Sequence, residues 1–255
     1  VSGKTLPVRH YDYLLSEVEK NQGYVLLCSH TAVSDLEIES NEIAGAQDIP
    51  AQEIAARVKK IERLGDDMAL LHLQTPRTKR LQFLAGQSAT LETGNGAEAE
   101  YPVASCPCDD RNLQFHICRI PGDRLSEYVF RKLKNADIVS LTGPQGDFTL
   151  REDSPHSLIF LAYGTGFAPI KSIVEDAFQR GLRRPMLLYW GVRRRKDLYL
   201  LELAEQWQRE HANFKFIPVL SEAAPEDRWQ GRSGLVHQAI LQDFPDLTGH
   251  EVYVC

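Results

Sequence analysis

The alternation of apolar and polar positions changes rhythm along the chain, and the changes mark its parts. From residue 51 to residue 151, short runs of strand period recur between turn-forming residues. Residues 57–61, 68–73, 87–91, 101–104 and 113–119 read as strands, with residues 94–96 as a hairpin tip and one helical interval over 125–133. Short strands with this punctuation predict a small antiparallel β-barrel. From residue 152 the period lengthens. Residues 158–162 and 186–190 are continuous apolar runs, and between them Ile170, Ile173, Val174, Ala177 and Phe178 recur at helical spacing. A second cycle sets Leu200, Leu203, Ala204 and Trp207 on one helix face ahead of a strand over 214–220. A third helix, 236–241, leads to a last strand, 252–254. Strand, helix, strand, repeated, predicts an α/β doubly wound parallel sheet. Upstream, an apolar run over 24–27 ends at Cys28, residues 35–38 read as a strand, and 41–50 form a polar connector. The parts are therefore 1–42, 51–151 and 152–255.

Composition narrows the class. With 43% hydrophobic and 25% charged residues among 255, the chain has room for more than one globular core. No apolar run approaches the roughly 20 residues that span a bilayer, and no leader pattern opens the sequence, so the expected location is the cytoplasm. The net charge is -6 and the basic residues are dispersed apart from Arg193, Arg194, Arg195 and Lys196, which argues against nucleic-acid or membrane partners. The five cysteines, Cys28, Cys106, Cys108, Cys118 and Cys255, have neither metal-ligand nor secretory spacing and read as reduced thiols. A start at Val1 and a stop directly after a strand read as a fragment cut at both ends.

The chemistry concentrates at Tyr163-Gly164-Thr165-Gly166-Phe167-Ala168-Pro169, which follows a buried strand and opens a helix. Gly164 and Gly166 permit a tight turn and close backbone approach, Pro169 suits a first helical turn, and the helix N-terminus favours a pyrophosphate. A bare Gly-x-Gly is equally a plain strand-to-helix turn; the strand before it and the helix after it make it a dinucleotide site. Gly191 and Arg193 follow one strand, Ser221 and Glu222 another, and Cys255 the last. In a parallel sheet these carboxyl-terminal edges line one crevice. Taken singly, the run Arg193 to Lys196 is a solvated loop and Cys255 a small hydrophobe.

Several motifs in order resemble the ferredoxin reductase family. They are Gly164-Thr165-Gly166-Phe167-Ala168-Pro169, Tyr189-Trp190-Gly191-Val192-Arg193 with Asp197-Leu198-Tyr199, and Gly143-Pro144-Gln145-Gly146-Asp147-Phe148. Arg80-Leu81-Gln82-Phe83-Leu84-Ala85-Gly86-Gln87 and Gly23-Tyr24-Val25-Leu26-Leu27-Cys28 extend the likeness to members with a plant-type ferredoxin domain in front, of the CDP-6-deoxy-glucoseen reductase and phenol hydroxylase reductase type. The resemblance implies that 1–42 is the end of a 2Fe-2S ferredoxin domain, 51–151 an FAD-binding barrel, and 152–255 an NAD(P)-binding domain. It implies an electron-transfer oxidoreductase that passes hydride from NADH or NADPH to FAD, then single electrons to a 2Fe-2S centre and a partner oxygenase or dehydratase. A flavin suits that conversion because it accepts electrons in pairs and releases them singly.

By the same resemblance, Tyr101 lies against the flavin ring with Pro102 beside it, while Leu125, Ser126 and the backbone after Gly122 hold the FAD phosphates. Gly164, Thr165, Gly166 and Pro169, with Gly191, Arg193 and Ser221, bind the nicotinamide nucleotide. Cys255 sits beside the nicotinamide, and Cys28 is a cluster ligand. Two departures qualify this. The family's flavin strand reads Arg-x-Tyr-Ser, whereas this chain has Ala99-Glu100-Tyr101-Pro102. It lacks the phosphate-pairing arginine and the flavin-facing hydroxyl, and Glu100 adds a negative charge, so weakened FAD binding is expected. Plant-type ligation takes four cysteines; Cys28 alone matches, which places the cluster in the intact parent protein only. The rival reading is a flavin-free nucleotide-binding sensor or scaffold. A dehydrogenase acting directly on a small metabolite has no acid–base group to support it, and His116 reads as structural. Glu222 favours NADH, whereas the arginine run favours NADPH.

Overall fold

The structure is a computed structural model that describes residues 2–11, 13–39 and 45–255, the side chains of Cys28 and Gln47 apart. At its start β1 (Thr5–Pro7) and β2 (His30–Ala32) form an antiparallel ribbon, with helix α1 (Glu17–Asn21) between them in sequence. Ser16 caps α1 in a reciprocal box with Glu19, whose carboxylate accepts from the Ser16 N–H at 2.7 Å. The strand expected over 35–38 does not form. Only an isolated bridge joins Ser2 to Glu37, and Ile38 stays exposed, so no buried face holds the segment in a sheet. Part of the connector expected over 41–50 lies outside the described residues.

A six-stranded sheet follows. It is built from β3 (Gln52–Arg63), β4 (Met68–Gln74), β5 (Ser88–Thr93), β6 (Glu98–Pro102), β7 (Asn112–Cys118) and, after helix α2 (Arg124–Arg131), β8 (Ile138–Gln145). Its order is β6-β5-β8-β3-β4-β7, every pairing is antiparallel, and the outer strands β6 and β7 touch, so the sheet curls into a near-barrel. The interior is filled by the inward period of each strand, such as Ile54, Ala56 and Val58 on β3 and Leu113, Phe115 and Ile117 on β7. Sequence reasoning passed over β8. Val139 and Leu141 alternate inward as a strand requires, but Gly143-Pro144 reads locally as a turn, and only pairing to both β3 and β5 carries the strand through it.

The rest of the chain alternates β9 (Ser157–Tyr163), α3 (Phe167–Gln179), β10 (Met186–Val192), α4 (Leu201–Glu210), β11 (Phe214–Leu220), β12 (Arg232–Ser233), α5 (Val236–Asp243) and β13 (His250–Val254). The strands form one parallel sheet in the order β12-β11-β10-β9-β13, as the doubly wound pattern predicts. Phe160, Phe167, Trp190 and Trp207 fill one face with α3 and α4, and Ile159, Tyr189, Val219 and Ile240 fill the other with α5. Among the described residues no helix is long and apolar enough to cross a membrane.

The expectation of reduced thiols is corrected at one place. Cys106 and Cys108 are joined as a disulfide, because the 3-10 turn Pro107–Asp109 folds the chain back and brings their Cα atoms to 5.1 Å. Cys118 and Cys255 are free.

One ionic clip ties the edge strand β13 to the sheet. Arg184 donates to the carbonyls of His156 at 2.7 Å and Arg151 at 2.8 Å, and to the Glu251 carboxylate at 2.8 Å. Burial opposes ionisation of Glu251, but hydrogen bonds from Ser154, Arg184 and Tyr253 outweigh it and hold its carboxyl below the usual value. A folded-state value below the unfolded one adds stability above the unfolded value and loses it as pH falls through the folded one. Glu251→Gln is therefore predicted to cost about 1.5–3 kcal/mol in urea unfolding at neutral pH, the worth of hydrogen bonds to a charged group, and to converge with the parent protein in acid.

Candidate active site

At the carboxyl edge of the parallel sheet, β9 runs into a 3-10 turn, Gly164–Gly166, and then directly into α3. Gly164 has φ +55° with open space where a side chain would stand. At Gly166 the constraint is contact: a Cβ would lie 2.3 Å from the Cys255 carbonyl oxygen. Cys255 is held there by continuing the parallel ladder, its N–H donating to Leu161 at 2.9 Å and its carbonyl accepting from Tyr163 at 2.8 Å. The turn is also fixed from beneath, where the Trp190 indole donates to the Gly164 carbonyl at 3.0 Å and Phe167 stacks on Trp190 at 3.9 Å. No side chain caps α3 and no acidic residue stands in its first turn, which contains Pro169. The Phe167 N–H is taken up by the Gly164 and Thr165 carbonyls and Pro169 has none, so what the start of α3 offers an anion is the positive end of its dipole, beside the open space at Gly164.

The neighbouring strand ends open on the same edge. A crevice of about 340 Å³ is lined by Tyr163, Gly191, Ser221, Leu235, Val236 and Val254. Gly191 makes room for α5, since a Cβ there would meet Val236 at 2.6 Å. Ser221 is fastened through its N–H to the Val192 carbonyl at 2.9 Å. The arginine run divides. Arg194 pairs with Asp227 at 2.7 Å and Glu226 at 3.2 Å, and Arg195 donates to the Asp227 carbonyl at 3.3 Å, so both brace the loop after β11. Arg193 is largely exposed and lies 4.0 Å from Asp197.

On the barrel side Tyr101 is half-buried against the core, and burial, with Asp123 and Cys118 nearby, pushes its phenol up to about 12. Pro102 follows it, paired to Ser88. At the start of α2 the Asp123 carboxylate accepts the Ser126 N–H at 2.7 Å. Leu125 and Ser126 are fully buried, and the Ser126 hydroxyl accepts from the Ile120 N–H at 3.2 Å. Glu100 is exposed, alternating along β6 with Ala99 and Tyr101, both of which meet the barrel core. The negative charge at this helix N-terminus is therefore Asp123, which sequence reasoning missed although Asp-x-x-Ser ahead of an apolar run is an N-cap signal. The two helix starts differ: α3 is open to an anion, whereas α2 already holds a carboxylate.

The Cys28 backbone lies in the 3-10 turn Leu27–Ser29, and its side chain is outside the described part of the structure. Among the described residues no group of three or more His, Cys, Asp or Glu is placed to hold a metal.

A near-barrel joined to a parallel sheet with a glycine turn at its carboxyl edge is the architecture of an oxidoreductase of the flavin- and nicotinamide-binding class. Residues 55–150 match the oxidoreductase FAD-binding domain family and residues 160–255 the oxidoreductase NAD-binding domain family. The chain is 35% identical over 241 residues to the CDP-6-deoxy-L-threo-D-glycero-4-hexulose-3-dehydrase reductase of Yersinia pestis, covering 94% of this chain and 72% of that one. It is 32% identical to a terephthalate 1,2-dioxygenase reductase component of Comamonas sp, covering 91% and 68%. The crystal structure of the Amycolatopsis cytochrome P450 reductase GcoB superposes with a TM-score of 0.74 at 30% identity, over 100% of this chain and 77% of that one. The chain belongs to the ferredoxin reductase family and is an NAD(P)H-dependent flavin reductase.

Because a side chain at residue 166 must displace the Cys255 backbone, Gly166→Val is predicted to weaken NADH binding by about tenfold to a hundredfold, the equivalent of ~1–3 kcal/mol of overpacking. The barrel should keep its fold, checked by equilibrium titration beside circular dichroism.

Proposed function

We propose that this chain takes hydride from NADH at the Gly164 turn and delivers electrons, through FAD in the barrel and a 2Fe-2S centre to which Cys28 contributes, to a cytoplasmic partner oxygenase or dehydratase. The observation that carries the nucleotide half is the open N-terminus of α3 beside the pinned Gly164–Gly166 turn. Relatives described as reductases of a dehydrase and of a dioxygenase support the partner class.

In this reading Gly164, Thr165, Gly166 and Pro169 receive the pyrophosphate, Gly191, Arg193 and Ser221 line the nucleotide crevice, and Cys255 and Tyr101 flank the reacting rings from the two domains. FAD, when bound, accepts the hydride pair and returns electrons singly. Tyr101 and Pro102 supply the ring face, and Leu125 and Ser126 shape the phosphate end. NADH is favoured over NADPH by two features of the crevice. Glu222 is exposed at the end of β11, where it repels a 2′-phosphate, and Arg194 and Arg195 are committed to the loop at 226–227.

The flavin is held without its usual cation. Ala99 stands where the family has arginine, and Asp123 occupies the α2 N-terminus. A hydrogen bond to a charged group is worth roughly 1.5–3 kcal/mol, so Ala99→Arg with Pro102→Ser is predicted to tighten FAD by about tenfold to a hundredfold. The same change should raise NADH-dependent reduction of an artificial acceptor. Equilibrium dialysis with FAD followed by the acceptor assay checks both. The absent cation also favours a second reading, a flavin-free nucleotide-binding sensor or scaffold. NADH binding with no FAD uptake by either protein would establish that reading instead.

A further inference from the structure

Between the two domains lies a buried polar contact with no part in the site as described so far. His116, on β7 of the barrel, is only 3% exposed, and its Nδ1 lies 2.8 Å from the Tyr199 hydroxyl in the nucleotide domain. Its Nε2 lies 3.1 Å from Gln114 Oε1. An amide oxygen only accepts, so Nε2 carries the proton and Nδ1 accepts from the Tyr199 hydroxyl. Burial, with Lys171 and His72 close by, keeps the ring neutral, and burial likewise keeps the Tyr199 phenol protonated. Both partners are thus in the forms that the bond needs.

The contact leads to the nucleotide turn in two steps. Tyr199 meets Trp190 edge-on at 5.2 Å and Phe167 at 6.2 Å, and Trp190 and Phe167 are the stacked pair that fixes the Gly164 carbonyl and opens α3. His116 itself faces Phe167 at 6.3 Å, and β7 touches the Gly164–Gly166 turn. On the flavin side, Cys118 of the same strand is near enough to both Tyr101 and Tyr199 to bear on the titration of each. Farther along the seam, Lys171 donates to the Ala104 carbonyl at 3.1 Å and Ser172 to the Ser105 carbonyl at 2.7 Å, so α3 is tied to the segment that follows the flavin strand. Each of these bonds crosses from one domain to the other.

We propose that His116 and Tyr199 are positioning residues, a cross-domain clamp that sets the register of the Gly164 turn, and hence of the nicotinamide, against the flavin ring. The inference rests on the hydride-transfer reading above. It needs neither residue to touch the nucleotide or the flavin. A buried bond between the strand beside Tyr101 and the rings beneath the turn fixes a distance that neither domain fixes alone, and hydride transfer is steeply sensitive to such alignment.

The test compares His116→Phe, Tyr199→Phe, the double variant, and His116→Gln, whose amide oxygen can again accept from Tyr199. In FAD-loaded protein each Phe variant should slow flavin reduction at saturating NADH by about tenfold while NADH affinity stays within about twofold, because alignment and not binding is lost. The double variant should be no slower than either single one, and His116→Gln should recover much of the rate. In flavin-free protein, backbone amide exchange at residues 164–167 should quicken in His116→Phe and return towards the parent rate in His116→Gln. Should His116→Phe fail to fold, Tyr199→Phe decides alone by both measurements. Folded variants with unchanged rates and unchanged exchange would overturn the clamp, as would rate losses that simply add in the double variant. If NADH does not reduce the flavin of the parent protein, the hydride-transfer reading falls, and the exchange measurement still decides whether the clamp exists.

Discussion

The site depends on one close approach, that of the Cys255 carbonyl to the α-carbon of Gly166. It exists because β13 pairs in parallel with β9 and the ladder runs one residue past the strand, so that Tyr163 and Cys255 are bonded where the turn begins. The turn is thus pressed from that side and held beneath by Trp190, directly ahead of the uncapped start of α3. The surrounding packing serves to keep this helix start in place. The side chain that Gly191 lacks makes room for Val236, the side chain that Gly166 lacks makes room for Cys255, and the aromatic stack of Phe167 on Trp190 fills the space below.

The barrel follows a different logic. Its core is filled by the inward period of the strands with Tyr101 half-buried against it, whereas the N-terminus of α2 carries Asp123, which accepts the Ser126 N–H. One domain thus presents an open helix start and the other a self-capped one. The two are joined by a buried seam of hydrogen bonds, from Tyr199 to His116 and from Lys171 and Ser172 to the chain after β6.

Much of this was legible in the sequence, for reasons that differ by element. The βαβ rhythm of the nucleotide domain is strong because its strands are buried on both faces and its helices are long, so periodicity alone places β9, α3 and β10. The barrel strands alternate more weakly, and β8 was lost because Gly143-Pro144 is a turn by local rule and a strand only by its neighbours. The stretch over 35–38 failed the other way: it alternates, but the small ribbon gives it nothing to bury. Among site residues, the glycine turn was visible as a motif and the Asp123 cap was within reach of a local signal, while the roles of Arg194 and His116 rest on partners elsewhere in the chain. The Cys106–Cys108 pairing is local but was hidden too, since a spacing of two residues announces a bond only once the turn between them is known.

Whether nicotinamide and flavin meet across this seam in a productive geometry is decided by anaerobic titration of the FAD-loaded chain with NADH. The visible flavin absorbance should bleach stoichiometrically with added NADH and more slowly with NADPH. A protein that binds both FAD and NADH yet keeps its oxidised flavin spectrum would contradict it.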